Sequence, residues 1–216
     1  MYKHVIKRLL DIVLSMSGII VLAIPMAFFA CIIKIEDRGP AIFKQKRVGI
    51  NKTFFNVYKF RSMKMTTPHD VPTHLLHDPD QYILRCGRWM RKMSIDELPQ
   101  LFNILKGDMS IIGPRPALWN QDNLITERDK YGANDVKPGL TGWAQINGRD
   151  ELEIPVKAAL DGEYVAALDA GHGKGFAMDC KCFWGTVKAV ICHDGVIEGG
   201  TGELKRDRLR GGALRR

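Results

Sequence analysis

The sequence predicts a mostly helical α+β chain, with an N-terminal re-entrant membrane helix followed by a folded domain on the cytoplasmic side. Three observations predict it. A run without charge occupies residues 12–33, one short stretch rich in β-formers follows it, and the remainder carries runs with helical spacing bounded by proline and glycine. The resulting division is a membrane-embedded segment over 1–40, a cytoplasmic domain over 41–198 and a basic flexible tail over 199–216.

The apolar run, IVLSMSGIIVLAIPMAFFACII, is 22 residues long, enough to span the ~30 Å hydrocarbon core of a bilayer as a straight helix. Pro25 sits near its middle, where a missing backbone donor and a clash with the preceding turn predict a bend. Lys3, Lys7 and Arg8 precede the run, and Lys34, Arg38, Lys44, Lys46 and Arg47 follow it. Basic residues on both flanks suit two ends on the cytoplasmic face, so a helix that enters and returns satisfies both signals. A kinked single pass is the rival, because proline is tolerated in spanning helices. A cleaved leader does not fit, since the run is too long and no small-residue cleavage site follows it.

After Gly39 and Pro40, AIFKQKRVGINKTFFNVYKFRSM reads as a hairpin whose second arm places Val57, Lys59 and Arg61 on one face. Residues 64–82, with Pro68, Pro72 and Pro79, read as a long loop. The basic stretch ILRCGRWMRKM reads as a helix near the lipid headgroups. PQLFNILK reads as a helix opened by Pro99 and closed by Gly107. VKPGLTGWAQINGRDEL holds glycine turns, with Asn147-Gly148 presenting Arg149. Two helices follow. One begins near Pro155 with a stripe of Val156, Leu160, Tyr164 and Leu168, and one runs from about Phe176 to Ile191 through Phe183, Val187 and Val190. GHGKG between them lacks the pattern of a phosphate-binding loop and reads as a flexible linker.

The net charge of +8 is concentrated at the ends, with +3 in residues 1–10, +5 in residues 205–216 and none net between. A neutral body with basic ends fits an anionic membrane surface and argues against nucleic acid as a partner. The odd count of 5 cysteines argues against a disulfide framework. Cys180, Cys182, Cys192 and His193 match no standard zinc spacing, and His69, His74 and His77 fall in a polar, proline-containing stretch.

The chemistry concentrates in SIDELPQLFNILKGDMSIIGPRP. Ser94 and Glu97 form a capping-box pattern, which accounts for Glu97 without chemistry, and Asp96 is then a first-turn acid. The same placement suits catalysis. A helix N-terminus favours ionised carboxylates, and neighbouring helical residues diverge by about 100°, so Asp96 and Glu97 can serve different tasks, one attacking and one holding metal. Paired carboxylates suit Mg2+ bridged to substrate phosphates, and Arg115, fixed between Pro114 and Pro116, offers a planar fork for phosphate. Lys59, Arg61 and Arg149 add positive charge. The implied reaction is phosphoryl transfer through an aspartyl-phosphate type of intermediate.

KFRSM, the central motif and VKPGLTGWAQINGRD, behind an apolar segment with a mid-point proline, resemble the bacterial sugar transferase family of small monotopic phosphoglycosyl transferases. The resemblance covers most of residues 1–191. It implies a re-entrant helix in the bacterial inner membrane, an Asp-Glu dyad with Mg2+, and transfer of a phosphosugar from a UDP-sugar to undecaprenyl phosphate at the cytoplasmic face, which starts a surface glycan. Asp96 is then the nucleophile, Glu97 its dyad and metal partner, Arg115 and Arg149 phosphate contacts, and Lys59 and Arg61 the family's basic strand residues. Where the family often has a serine before the bend proline, this chain has Ile24. A Mg2+-dependent phosphohydrolase and a non-enzymatic membrane-surface scaffold are the competing readings, and a homo-oligomer remains open.

Overall fold

A computed structural model describes residues 2–67, 79–148 and 152–191. Its first element is α1, Lys7–Glu36, preceded by a π-helical turn over Tyr2–Ile6. By length and composition α1 with that turn is the one helix among the described residues able to cross a membrane. The helix continues through Pro25, where the sequence predicts a bend. Apolar side chains along it remain exposed, Val21, Ile24 and Ile35 among them, as expected of a surface that faces lipid rather than a protein core.

Both ends of α1 are fastened to the rest of the molecule. At its start Lys7 pairs with Asp179 at 2.7 Å, and Arg8 donates to the carbonyls of Ile104 and Leu105. At its end the Glu36 carboxylate accepts the backbone N–H groups of Arg85 and Cys86, the second at 3.0 Å. Between them Asp11, buried, accepts from the Ser110 hydroxyl and the Ile111 N–H, while Ile19 and Leu22 pack on Val57, Leu101, Ile104 and Met109.

The expected hairpin is present. Strands β1, Ile42–Val48, and β2, Phe54–Phe60, pair antiparallel in the register Lys44↔Tyr58, and the connection turns at Asn51 and Lys52, both at positive φ. Helix α2, Arg85–Lys92, then packs so closely that a Cβ on Gly87 would lie 2.2 Å from the Ser62 carbonyl oxygen. Helix α3, Gln100–Lys106, follows Pro99 and ends at Gly107 with φ 102, the left-handed conformation that closes helices. Fully buried Asn103 joins α3 to the hairpin. Its Oδ1 accepts the Tyr58 N–H at 2.9 Å and its Nδ2 donates to the Asn56 carbonyl at 2.8 Å.

A two-stranded parallel sheet, β3 Ser110–Ile112 with β4 Gly139–Thr141, occupies part of what the sequence presents as turns. Helix α4, Asp122–Asp129, lies between these strands in sequence, and the single-turn α5, Trp143–Ile146, follows them. Helices α6, Ile154–Asp169, and α7, Lys174–Ile191, fall close to their expected positions. Ile112, Tyr164, Val165, Leu168 and Cys182 form the core between them. Burying such a large apolar side chain stabilises the fold by about 1.5–3 kcal/mol. On α7 the buried face carries Asp179 and Cys182, and Phe183 is exposed, so the expected stripe through Phe183 is rotated off the core. Val156 of the α6 stripe is likewise exposed. The α6–α7 connection is a defined turn in which Gly171, His172 and Gly173 all have positive φ. The three loop histidines, Cys192, His193 and the basic tail lie outside the described residues.

Candidate active site

Asp96 and Glu97 lie on a single 3-10 turn, Ile95–Glu97, that leads into α3. Ser94 before it is left-handed, at φ 55, and makes no side-chain cap. The capping-box reading therefore fails in this structure, because two cations compete for Glu97 and win. Lys59 Nζ donates to Glu97 Oε1 at 2.8 Å, and Arg115 Nη2 donates to the same oxygen at 2.7 Å. Arg115 Nη1 lies 3.5 Å from Oε2. Two cations converging on one carboxylate hold it more strongly than a single backbone N–H would.

Each member is held by a different element. Lys59 projects from β2, whose position against α3 is set by Asn103. Arg115 sits between prolines just beyond β3, where the Gly139 N–H donates to the Pro114 carbonyl at 2.9 Å. A Cβ on Gly139 would meet the Gly113 nitrogen at 2.1 Å, so the backbone crossing that supports Arg115 requires glycine. Behind it Arg128 of α4 donates to the Arg115 carbonyl at 3.0 Å and, through Nε and Nη2, to Asp161 Oδ2 of α6 at 2.8 and 2.6 Å. This buried pair was invisible to spacing arguments, since its members lie 33 residues apart on helices that meet only in the fold.

The two carboxylates are in different electrostatic states. Burial opposes ionisation of Glu97, but Arg115 and Lys59 together hold it well below the usual carboxylate range. Asp96 has no hydrogen-bond or ion-pair partner among the described residues. Burial raises it to about 6, with Lys59 pulling it down and Glu97 pushing it up. The helix-terminus argument, which favours ionisation, is thus outweighed by desolvation, although Asp96 remains mostly ionised at neutral pH. One acid is a fixed counter-ion and the other is an available carboxylate.

The structure brings Asp96, Glu97, Lys59 and Arg115 together. Arg61 is engaged elsewhere. Buried, it donates to the Pro40 carbonyl at 2.8 Å and to the side chain and carbonyl of Asp37. Arg149 lies outside the described residues. No group of three or more metal-binding side chains converges among the described residues. Two adjacent carboxylates, one without a partner and one with Oε2 only loosely held, nevertheless fit a hard cation that keeps water and phosphate in its shell.

The structure thus joins a long apolar helix to an α+β body in which an available carboxylate, Asp96, sits beside a cation-clamped one, Glu97. The family model of bacterial sugar transferases matches residues 2–193, and the chain belongs to that family. It is 37% identical over 207 residues to the "Uncharacterized sugar transferase EpsL" of Bacillus subtilis (strain 168), covering 96% of each chain. It is 42% identical over 195 residues to the undecaprenyl-phosphate glucose phosphotransferase of Komagataeibacter xylinus, covering 86% of this chain and 36% of that one. It is 35% identical over 205 residues to the undecaprenyl-phosphate galactose phosphotransferase of Salmonella typhimurium (strain LT2), covering 88% and 41%. The chain thus spans nearly all of the first relative and well under half of the other two.

Proposed function

We propose that this chain transfers a phosphosugar from a UDP-sugar to undecaprenyl phosphate on the cytoplasmic face of the bacterial inner membrane, releasing UMP, and so starts a surface glycan. The observation that carries this reading is the division of labour between Asp96 and Glu97 beside Arg115. The activities for which the Komagataeibacter and Salmonella relatives are named support undecaprenyl phosphate as the acceptor and a phosphosugar as the group transferred.

In the first step a carboxylate oxygen of Asp96 bonds to the sugar-linked phosphorus. The bond from that phosphorus to the bridging oxygen breaks, and UMP leaves with the oxygen and its electron pair. In the second step an oxygen of undecaprenyl phosphate attacks the same phosphorus and restores the Asp96 carboxylate. Splitting the transfer lets a water-soluble donor and a membrane-held acceptor use one site in turn. Arg115 offers its guanidinium to the diphosphate, Lys59 offsets the charge of Glu97, and Glu97 holds both cations in place before substrate arrives. Asp96 and Glu97 Oε2 would hold Mg2+, which when bound supplies neutralisation of the diphosphate charge.

The same reading places both ends of α1 on the cytoplasmic side. A helix bonded to the same body at Lys7 and at Glu36, with an exposed apolar face between, supports an embedded helix whose two ends lie on one side. Product analysis with UDP-sugars and a polyprenyl phosphate tests the reaction. A lipid-linked sugar diphosphate is expected, whereas free sugar phosphate would indicate hydrolysis and no turnover a scaffold.

A further inference from the structure

A cavity of ≈ 230 Å³ opens beside Arg115, walled by Pro116, Leu124 and Ala144 and lined by Arg128, Lys157 and Gln145. Arg115 therefore touches both this cavity and Glu97. Gln145 is 8% exposed, and neither its amide nitrogen nor its amide oxygen has a hydrogen-bond partner among the described residues. Burying both halves of a carboxamide unsatisfied is costly, which makes the pair a donor and acceptor prepared for something that enters. The backbone that carries the amide is closely packed. It sits on the single turn of α5 after Gly142, where a Cβ would strike the Gly113 carbonyl oxygen at 2.1 Å and lie 3.0 Å from Gln145 Oε1.

Whole-ligand pockets run to about 300–1,000 Å³, so this cavity suits one part of a nucleotide sugar rather than all of it. If the diphosphate lies at Arg115, that part is the base or the sugar. A sugar presents hydroxyls on every side and needs several polar partners. Of the two carboxamides on this cavity, Gln121 has its oxygen engaged by the Leu118 N–H at 2.8 Å, which leaves Gln145 among guanidinium groups and apolar walls, a combination that accepts a flat ring with apolar faces and one hydrogen-bonding edge. A carboxamide matches a uracil edge, its oxygen accepting the ring N–H and its NH2 donating to the adjacent ring carbonyl.

We propose that the cavity beside Arg115 receives the pyrimidine base of the nucleotide donor, paired by its edge to the Gln145 carboxamide. This rests on the reading of the chain as a transferase that uses a nucleotide sugar. Gln145 is then the residue that recognises the base, while the chemistry stays at Asp96.

The test measures competition against the UDP-sugar by UMP and by inorganic pyrophosphate, which has no base, using the full chain in lipid nanodiscs. Gln145→Met keeps the volume and removes both hydrogen-bonding atoms. It should weaken UMP by about tenfold or more and leave pyrophosphate unchanged. Unchanged UMP inhibition would overturn the assignment, as would a raised donor KM with UMP unaffected, which would place the sugar in the cavity. Photolabelling of the unaltered protein with 5-azido-UMP needs no variant. Label on peptides containing Pro116–Leu118 or Ala144–Gln145 supports the proposal, and label confined to other segments overturns it. Failure of the unaltered protein to bind UMP at all would remove the donor reading itself and this proposal with it.

Discussion

Replacing Arg128 with methionine should lower the thermal midpoint by about 15 °C. Arg128 is 4% exposed and Asp161 1% exposed, and both guanidinium donors fall on one carboxylate oxygen, Oδ2. The other oxygen, Oδ1, has no hydrogen-bond partner among the described residues, so once the arginine is gone only the charge of Lys157 is left to offset the carboxylate. Breaking a buried pair from one side costs about 3–5 kcal/mol, and losing the donor to the Arg115 carbonyl adds about 1 kcal/mol. For a chain of this size 1 kcal/mol corresponds to roughly 2–4 °C. Burial pushes the Asp161 carboxyl up, and Arg128 offsets this in part. Without Arg128 the folded-state value rises further above the unfolded one, so the deficit is greatest where Asp161 is ionised and shrinks as pH falls. Tryptophan fluorescence melting in nanodiscs measures this, with Arg128→Met/Asp161→Leu as the companion. The double variant should recover most of the loss. A single variant within about 1 °C of the unaltered protein, or a double variant no better than the single, would refute the reasoning.

Activity should fall as pH drops through about 6, because Asp96 attacks only when ionised and burial has raised it to about 6. Lys59→Met removes the strongest lowering influence on Asp96 and should move that acid limb to higher pH at constant magnesium. A limb that does not move would separate Asp96 from the pH dependence. Gly139→Ala forces a Cβ to within 2.1 Å of the Gly113 nitrogen. It should cost about 1–3 kcal/mol and reduce activity more than a distant variant of equal stability, since the displaced backbone carries Arg115. For topology, cysteines placed at exposed His4 and Arg38 should react with an impermeant maleimide from the same side of the membrane. Reaction from opposite sides would establish a spanning helix.

The hairpin, α3 and the apolar helix were legible because each is set by local signals: β-formers around a turn, Pro99 before and Gly107 after a helix, and an uncharged run. That Asp96, Glu97 and Arg115 share one site could be suspected from residue type alone. Its geometry could not, because Lys59 reaches Glu97 from a strand 38 residues earlier. The capping-box pattern misled for the same reason, since a local pattern cannot show that tertiary cations will claim the glutamate. The three-residue strands β3 and β4 are too short to have a readable period. Gln145 carries no signal in its spacing, and its interest lies entirely in being buried without a partner.

The central claim is that Asp96 carries the phosphosugar between donor and acceptor, and rapid mixing with labelled UDP-sugar in the absence of lipid acceptor tests it most directly. The account predicts a burst of at most one equivalent of UMP per protein molecule, label retained on a peptide containing Asp96, and no burst in Asp96→Asn. A strict need for both substrates before any UMP appears, or label mapped to Glu97, would contradict it.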